Sequence, residues 1–328
     1  MAILSPLDFS TLPCPGYREI RLALARRTII ARLLKQGAYD HVHIATEGPI
    51  GWATRAVCLR KKIRFTTSFH TRFPEYIEAY TGLTAWLSYV VQRRFHRPSL
   101  AMFVATRSLK DELAGRGFER LLLWPRGVDT TRFQPRPQDA EQAGPEGKPT
   151  FLYVGRVSLE KNITAFLDLD LRGRKVVVGE GPMLPTLRKR YPNVIFKGAK
   201  YGDDLAREYA SADVFVFPSR TDTFGLVLLE AMASGLAIAA YPVTGPIDVV
   251  TQGLTGCLDD DLRTAALGAL SLDRNRIRAQ SMQHDWRRVS DIFLANIDKA
   301  KKAAEFGKHL LKAKGQSLSM KPNPRPIP

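Results

Sequence analysis

Residues 212–235 read ADVFVFPSRTDTFGLVLLEAMASG, a short apolar run, a polar loop and a second apolar run. Ala212 to Phe217, rich in Val and Phe and stopped by Pro218 and Ser219, reads as a buried strand. Phe224 to Ser234 are good helix formers, and Gly235 supplies the stop. The loop between them sits at the carboxyl end of a strand and the amino end of a helix, where open α/β sheets bind phosphorylated ligands. Two carboxylates bracket the junction, Asp222 in the loop and Glu230 in the helix. Leu226, Val227, Leu228, Leu229, Ala231, Met232 and Ala233 leave Glu230 no polar face, so a largely buried carboxylate there needs a partner. A pair of sugar hydroxyls would serve. A capping Asp and an incidental Glu on a buried helix is the alternative that these residues alone leave open.

Outward from this junction, the 328 residues suffice for two domains of ordinary size, and 45% apolar composition is that of a globular protein. No apolar run approaches the ~20 residues that span a bilayer, and Met1 to Gly16 lacks a basic start followed by an apolar core, so the expected compartment is the cytoplasm. Cys14, Cys58 and Cys257 are widely spaced without ligand neighbours, which indicates neither a disulfide framework nor a zinc site. The net charge of +17 is uneven. Residues 1–148 carry 23 basic against 13 acidic side chains, residues 149–298 carry 18 against 18, and residues 299–328 carry 8 against 1. Such basicity suits nucleic acid, an anionic membrane surface or a merely solvated face. No helix-turn-helix, zinc-finger or RNP-type pattern supports the first.

The opening MAILSPLDFSTLPCPGY is dense in proline, and only Glu19 to Leu34 has a helical look. From residue 41 the alternation becomes regular. Strand His41–Ala45 meets the turn Thr46, Glu47, Gly48, and Pro49 opens a helix to about Arg60, Pro being favourable in a first turn. Strand Arg64–Ser68 delivers Phe69, His70 and Thr71 to another carboxyl-end loop. Glu47 either orients a ligand or sits near a helix start where negative charge is favoured, and a lone His such as His70 is by itself a common structural hydrogen-bonder. Residues 73–98 carry Tyr76, Tyr80, Trp86, Leu87, Tyr89, Val90 and Phe95, mostly core, beside Arg93, Arg94 and Arg97, a composition that also suits a lipid surface. Strands Met102–Ala105 and Leu121–Trp124 flank a helix from about Ser108, and PRPQDAEQAGPEGKP, 135–149, reads as a linker.

Strand Phe151–Val154 then ends at Gly155 and Arg156, and Lys161 and Asn162 precede a helix. Two fixed cations on a loop after a strand suit a diphosphate that becomes a leaving group, although a solvated pair would look the same in isolation. Strand Lys175–Val178 runs into Gly179, Glu180, Gly181 and Pro182, a turn that lets backbone approach a ligand. Strand Val194–Phe196 ends at Lys197 and Gly198, and Leu236–Ala240 leads to Thr244, Gly245 and Pro246 at a helix start. Asp259, Asp260 and Asp261 read as a helix-start charge run, not a metal site. The last regular element expected is a helix from Asp285 to Lys302, with Trp286, Val289, Phe293, Leu294 and Ile297 at helical spacing. Beyond it Phe306, Leu310 and Leu311 share a face among lysines, and Ser319–Pro328 is expected to be disordered.

The junction at Asp222 and Glu230 resembles the acidic signature of retaining GT-B glycosyltransferases of family 4, the glycosyl transferases group 1, where Glu, seven residues and Glu span a strand-helix turn. Asp at the first position resembles the branch of GDP-mannose-dependent alpha-mannosyltransferases and sulfoquinovosyl-diacylglycerol synthases. GRVSLEK matches that family's Gly, Arg, four residues and Lys, and HIATEGPIGWATRAVCLR with FTTSFHTRFPEY resembles its acceptor-side domain. The resemblance covers about 8–297. It implies an α/β protein of two Rossmann-like domains facing across a cleft: 1–134 acceptor-side and short at its start, 135–149 a linker, 150–284 nucleotide-sugar-binding, 285–302 a helix returning to the first domain, 303–328 a basic tail.

By the same resemblance Glu230 holds the nucleotide ribose, Asp222 contacts hydroxyls of the transferred sugar, and Arg156 and Lys161 hold the diphosphate. Gly155, Lys197, Gly198, Thr223, Phe224, Gly225 and Leu226 complete the donor contacts, with backbone at Lys197 and Gly198 meeting the base. His70 lies beside the donor sugar and, with Glu47, on the acceptor side. The implied reaction is retaining transfer of a hexose, first of all mannose from GDP-mannose, to a glycolipid or glycan, with no cofactor and no metal; UDP-hexose is the other donor. An anionic membrane surface, the inner face of the plasma membrane, is the further expected partner. The family also places a strand, a Gly-rich loop and a helix before the strand at residue 41, and that unit is expected to be missing, with nucleotide binding kept and transfer weakened. A non-catalytic nucleotide-sugar-binding remnant is the rival reading.

Overall fold

The computed structural model describes residues 2–14, 17–70, 85–136, 147–222 and 224–319. Its strands are β1 (Thr11–Cys14), β2 (Tyr17–Ala23), β3 (Val42–Ile44), β4 (Phe65–Phe69), β5 (Met102–Val104), β6 (Leu121–Leu123), β7 (Thr150–Val154), β8 (Arg174–Val178), β9 (Ile195–Gly198), β10 (Val214–Phe217), β11 (Ala237–Ala240) and β12 (Gly256–Leu258). They form an antiparallel pair β1-β2, a four-stranded sheet ordered β3-β4-β5-β6, and a six-stranded sheet ordered β12-β11-β10-β7-β8-β9. The chain divides into two units, Met1–Val104 with Leu113–Leu122 and Ile292–Pro328, and Ala105–Glu112 with Leu123–Asp291. Each has the Rossmann-like pattern of strands alternating with helices.

The six-stranded sheet is parallel at every recorded pair. Parallel strands need crossover helices, and those helices cover both faces, so the strands read as unbroken apolar runs. TFLYV, VFVF and AIAA are accordingly buried at every position. Phe151, Phe166, Tyr209 and Phe215 are the largest fully buried side chains of this core, each worth roughly 1.5–3 kcal/mol of burial. Asp261 caps helix Leu262–Ala269, its carboxylate accepting from the amides of Arg263 and Thr264.

In the first unit Pro49 opens helix Pro49–Lys61. The helical look of residues 19–34 holds only in part. Tyr17–Ala23 is a strand paired with β1, and the helix runs Arg27–Gln36. Pairing against Thr11–Pro13 overrides the local preference of Glu19 to Ala23, which is too weak to resist a partner. The pair β1-β2 does not join β3, which bonds only to β4 among the described residues. The last helix, Trp286–Ser319, runs well past Lys302. The centre of the linker, residues 137–146, and the tail from residue 320 lie outside the described residues, as do Tyr76, Tyr80 and Thr71. No helix among the described residues is long and apolar enough to cross a membrane.

Strand β4 is buried throughout yet reads FTTSF. Its hydroxyls, 0% exposed at Thr66, Thr67 and Ser68, must find partners, and three histidines supply them. Thr66 Oγ1 lies 2.8 Å from both His41 Nε2 and His43 Nδ1, Ser68 Oγ 2.8 Å from His43 Nε2, and Thr67 Oγ1 2.9 Å from His96 Nδ1. Phe103 and Phe293 pack on the His43 ring. Burial is the first cause that lowers His41 from 6.5 to about 4, reinforced by Lys301 and opposed by Asp298, and burial likewise lowers His43 to about 3.

Both rings thus refuse protons that the unfolded chain accepts below pH 6.5, so stability falls as pH drops from about 6.5 toward 4. Denaturant midpoints measured between pH 7 and pH 5, above the range of ordinary carboxylates, should decline in the natural chain. The decline should be shallower in His43→Gln, which keeps hydrogen-bonding capacity without titrating. Equal slopes in the two proteins would remove His43 from this account.

Candidate functional site

Strand order fixes where the second unit can hold a ligand. The chain runs from the central β7 outward through β8 and β9, then returns to lay β10, β11 and β12 on the other side. Loops after β7 and β10 therefore leave in opposite directions and open a crevice at the carboxyl ends of the two strands. Arg156 and Lys161 lie on the first loop, and Asp222, Phe224 and Gly225 on the second.

Side chains cross that crevice. Lys161 Nζ reaches Asp222 Oδ1 at 2.5 Å, Asn162 Nδ2 donates to the Pro218 carbonyl at 3.1 Å, and Thr221 Oγ1 donates to the Glu160 carbonyl at 3.2 Å. Lys161 and Asp222 keep 24% and 18% of their side chains exposed, so the pair is open to exchange with a ligand. Arg156 stands with its Nε 3.9 Å from Glu160 Oε1, while its carbonyl accepts from the Tyr153 hydroxyl at 2.7 Å. Arg220 of the β10 loop stacks 3.6 Å from the ring centroid of Tyr241 after β11.

Neighbouring loops are drawn to the same end of the sheet by backbone bonds. The Gly155 amide donates to the Val178 carbonyl at 3.0 Å, and the Gly179 amide to the Gly198 carbonyl at 2.8 Å. At Gly179, φ is +143° and an added Cβ would stand 1.9 Å from the Gly155 carbonyl oxygen, so no other residue fits. Gly245, φ +99°, lets the Asp222 carbonyl approach to where a Cβ would meet it at 2.9 Å. Lys197 turns its ammonium to Glu208 Oε2 at 2.7 Å, which leaves backbone as what this stretch offers a ligand.

Helix Leu226–Ala233 follows Gly225, which is left-handed at φ +77° and offers no side-chain cap to the first-turn amides. The Leu228 amide already donates to the Gly225 carbonyl at 2.9 Å, which leaves those of Leu226 and Val227 without an intrahelical partner and suited to an anion. Leu226 is 49% exposed and Phe224 6%. Glu230, one turn further, is ringed by Leu228, Leu229, Ala231, Met232 and Ala233, all fully buried. Its Oε2 accepts from the Tyr209 hydroxyl at 2.8 Å. Burial raises the Glu230 carboxyl above the usual range, and the tyrosine bond pulls partly the other way. Burial, then the Glu230 charge, pushes the Tyr209 phenol well above 10, so it stays a donor. Arg278 fixes the far end of this helix, donating to the carbonyls of Ala233, Phe133 and Thr130 at 2.6, 2.8 and 2.7 Å.

His70 and Glu47 belong to the first unit. His70 follows the end of β4. Glu47 Oε1 lies 2.9 Å from His96 Nε2, the two side chains 8% and 3% exposed, so this carboxylate is committed to a buried histidine. Thr223 lies outside the described residues. Among the described residues no group of three or more His, Cys, Asp or Glu could hold a metal ion. Sequence reading missed Tyr209 and His96. Each meets its carboxylate across a long sequence separation, and no local spacing announces such a pair.

Residues 148–271 match the family described as glycosyl transferases group 1, and residues 5–132 match glycosyltransferase family 4. The sulfoquinovosyl transferase SQD2 of Arabidopsis thaliana is 31% identical over 307 residues, covering 84% of this chain and 60% of that protein. A GDP-mannose-dependent alpha-mannosyltransferase of Mycobacterium tuberculosis (strain CDC 1551 / Oshkosh) is 33% identical over 225 residues, 67% of this chain and 60% of its own length. Its namesake in Mycolicibacterium smegmatis is 31% identical over 252 residues, 75% and 67%. The chain thus spans about 60% of the length of the first two. Among solved structures, Anabaena Alr3699/HepE in complex with UDP-glucose superposes with a TM-score of 0.65 at 16% identity, covering 84% of this chain and 82% of that one.

The tyrosine-carboxylate contact makes a direct prediction. Tyr209→Phe removes a bond to the charged form, so the Glu230 carboxyl should titrate higher, with a stability loss of ~1–3 kcal/mol for the carboxylate left short of a donor. NMR titration of the side-chain carboxyls reads the first and denaturant unfolding the second. An unmoved Glu230 titration would mean that Tyr209 does not bond to it.

Proposed function

The chain belongs to glycosyltransferase family 4, and from that premise we propose that it transfers a hexose from a nucleotide sugar to a glycolipid or glycan acceptor, with retention of anomeric configuration. The observation that carries this reading is the pairing of Lys161 with Asp222 across the crevice between β7 and β10, with Glu230 on the helix that follows. A cation for phosphate, a carboxylate for sugar hydroxyls and a second carboxylate for the ribose are the groups a nucleotide sugar calls for.

Glu230 has one oxygen held by Tyr209 and is left to accept from the ribose hydroxyls. Arg156, Lys161 and the Leu226 and Val227 amides at the start of helix Leu226–Ala233 stabilise the charge that grows on the diphosphate as the anomeric C–O bond breaks. The acceptor oxygen bonds to the anomeric carbon on the same face, and its proton passes to the leaving diphosphate. Asp222, released from Lys161 when phosphate takes the lysine, orients the sugar. No metal is required in this reading, because the cations and amides carry the diphosphate charge.

Mannose from GDP-mannose is the transfer proposed, supported by the names of the mycobacterial relatives; a UDP-hexose is the alternative donor. The excess of basic residues in 1–148 and 299–328 supports a peripheral position on the inner face of the plasma membrane, where a lipid acceptor would be met. The rival, a non-catalytic nucleotide-sugar-binding protein, predicts binding without turnover.

Incubation with GDP-mannose, UDP-glucose and lipid acceptors, following nucleotide release, separates these readings. Arg156→Ala and Lys161→Ala should each lower transfer by ~100-fold or more while leaving the melting temperature near that of the natural chain. Near-normal turnover in both would sink the diphosphate clamp. Glu230→Ala should weaken GDP binding in calorimetric titration. Unchanged affinity with an altered melting temperature would make Glu230 structural and the ribose assignment wrong.

A further inference from the structure

Helix Ala85–His96 of the first unit has two faces of different chemistry. Tyr89, Gln92, Phe95 and His96 are buried, at 6, 6, 0 and 4% exposure. On the opposite side the first turns present Trp86, Leu87 and Val91, exposed at 70, 49 and 48%, and the last turn leads into Arg93, Arg94 and Arg97. Large apolar side chains this exposed are a cost in water, and a solvated helix face would not place them next to a basic end. Beside that end opens a cavity of about 500 Å³, which the arginines line together with Val90, Phe118 and Arg120. Glu119 is its one carboxylate, against four guanidiniums.

Part of this cluster has a structural account. The carbonyls at a helix end attract cations, and Arg55 donates to those of Phe95 and Arg94 at 2.9 and 3.0 Å, while Arg120 takes that of Arg97. Arg93 donates to the Arg116 carbonyl at 3.1 Å. These bonds hold Arg93 and Arg120 in place at the rim and leave further N–H donors on each guanidinium. Arg94 and Arg97 cap nothing: among the described residues neither side chain makes a hydrogen bond or an ion pair. The charge of Arg94 also contributes, after burial, to lowering Arg55. Cations collected beyond what the helix end uses call for an anion from outside.

We infer that the exposed face of helix Ala85–His96 and the adjoining arginine-lined cavity form a docking site for an anionic phospholipid surface, with Trp86, Leu87 and Val91 in the interfacial layer and a headgroup phosphate held by Arg94, Arg97, Arg93 and Arg120. The apolar stripe decides for a lipid over free phosphate, since a soluble anion has no use for an exposed tryptophan beside its site. This site rests on the reading of a lipid-facing glycosyltransferase, and it names the surface by which the first unit meets its membrane. It shares no residue with the donor crevice of the second unit.

Sedimentation of the full chain with phosphatidylglycerol-containing and pure phosphatidylcholine vesicles tests the site, with GDP titration run in parallel as the separate measure of the donor crevice. The natural chain should bind the anionic vesicles and release with salt. Arg94→Gln with Arg97→Gln should weaken that binding by roughly 30-fold, two cations at ~10²-fold or less in all. Trp86→Ser should weaken it with little change in salt dependence. A control pair elsewhere on the same unit, Arg26→Gln with Arg27→Gln, should change it little, and GDP affinity should be unaltered in every variant. Equal losses from the two arginine pairs would reduce the attraction to diffuse net charge and overturn the site. So would equal binding to neutral vesicles, no binding to either, or displacement from anionic vesicles by millimolar inorganic phosphate at constant ionic strength, which would make the cavity a soluble-phosphate site. Loss of GDP binding in the natural chain with vesicle binding intact would instead fault the proposed activity and leave the docking face standing.

Discussion

A parallel strand whose two faces are both covered by helices has only its ends to offer a ligand, and the second unit is built on that restriction. β7, β10 and β11 are buried at every position. Their backbone bonds are used within the sheet, and their side chains within the core. What remains is the row of loops at the carboxyl ends, and among these only the loops after β7 and β10 diverge. The crevice is thus a consequence of strand order. Glycine at residues 155, 179 and 245 then lets neighbouring backbones close to distances at which a Cβ would strike a carbonyl or a tyrosine ring.

The charges in the crevice are held by structure that lies beneath it. Glu230 sits on an otherwise apolar helix, where a carboxylate without a donor would be costly, and Tyr209 supplies that donor from a fully buried position. Arg278 ties the same helix to residues 130–133 through carbonyl contacts, so the carboxylate is fixed in depth and direction. Lys161 and Asp222 are the opposite case. Part-exposed and paired with each other, they keep opposite charges at the surface of the crevice.

The first unit places its polar groups differently. Strand β4 carries three consecutive hydroxyl side chains into a fully buried layer, and His41, His43 and His96 turn what would be orphaned groups into a connected network. Glu47 extends that network through His96. Charge not needed inside collects at the outer end of helix Ala85–His96, where arginines crowd around its last carbonyls.

The strand-loop-helix rhythm was legible in the sequence, because burial on both faces writes parallel strands as unbroken apolar runs such as VFVF and TFLYV. The sequence also singled out Asp222, Glu230, Arg156 and Lys161, since charge beside a strand end or inside an apolar helix stands out against local composition. The strand at Tyr17–Ala23 was not legible, as its partner strand outweighs a weak local helical preference. Which charges meet was not legible, because that depends on how elements pack. Lys161 and Asp222 lie far apart in the chain and touch because β7 and β10 are neighbours in the sheet. Tyr209 finds Glu230, and His96 finds Glu47, by packing between elements that no spacing rule connects. Periodicity records what a residue's own element buries, and the partner of a buried charge is set by how separate elements stack.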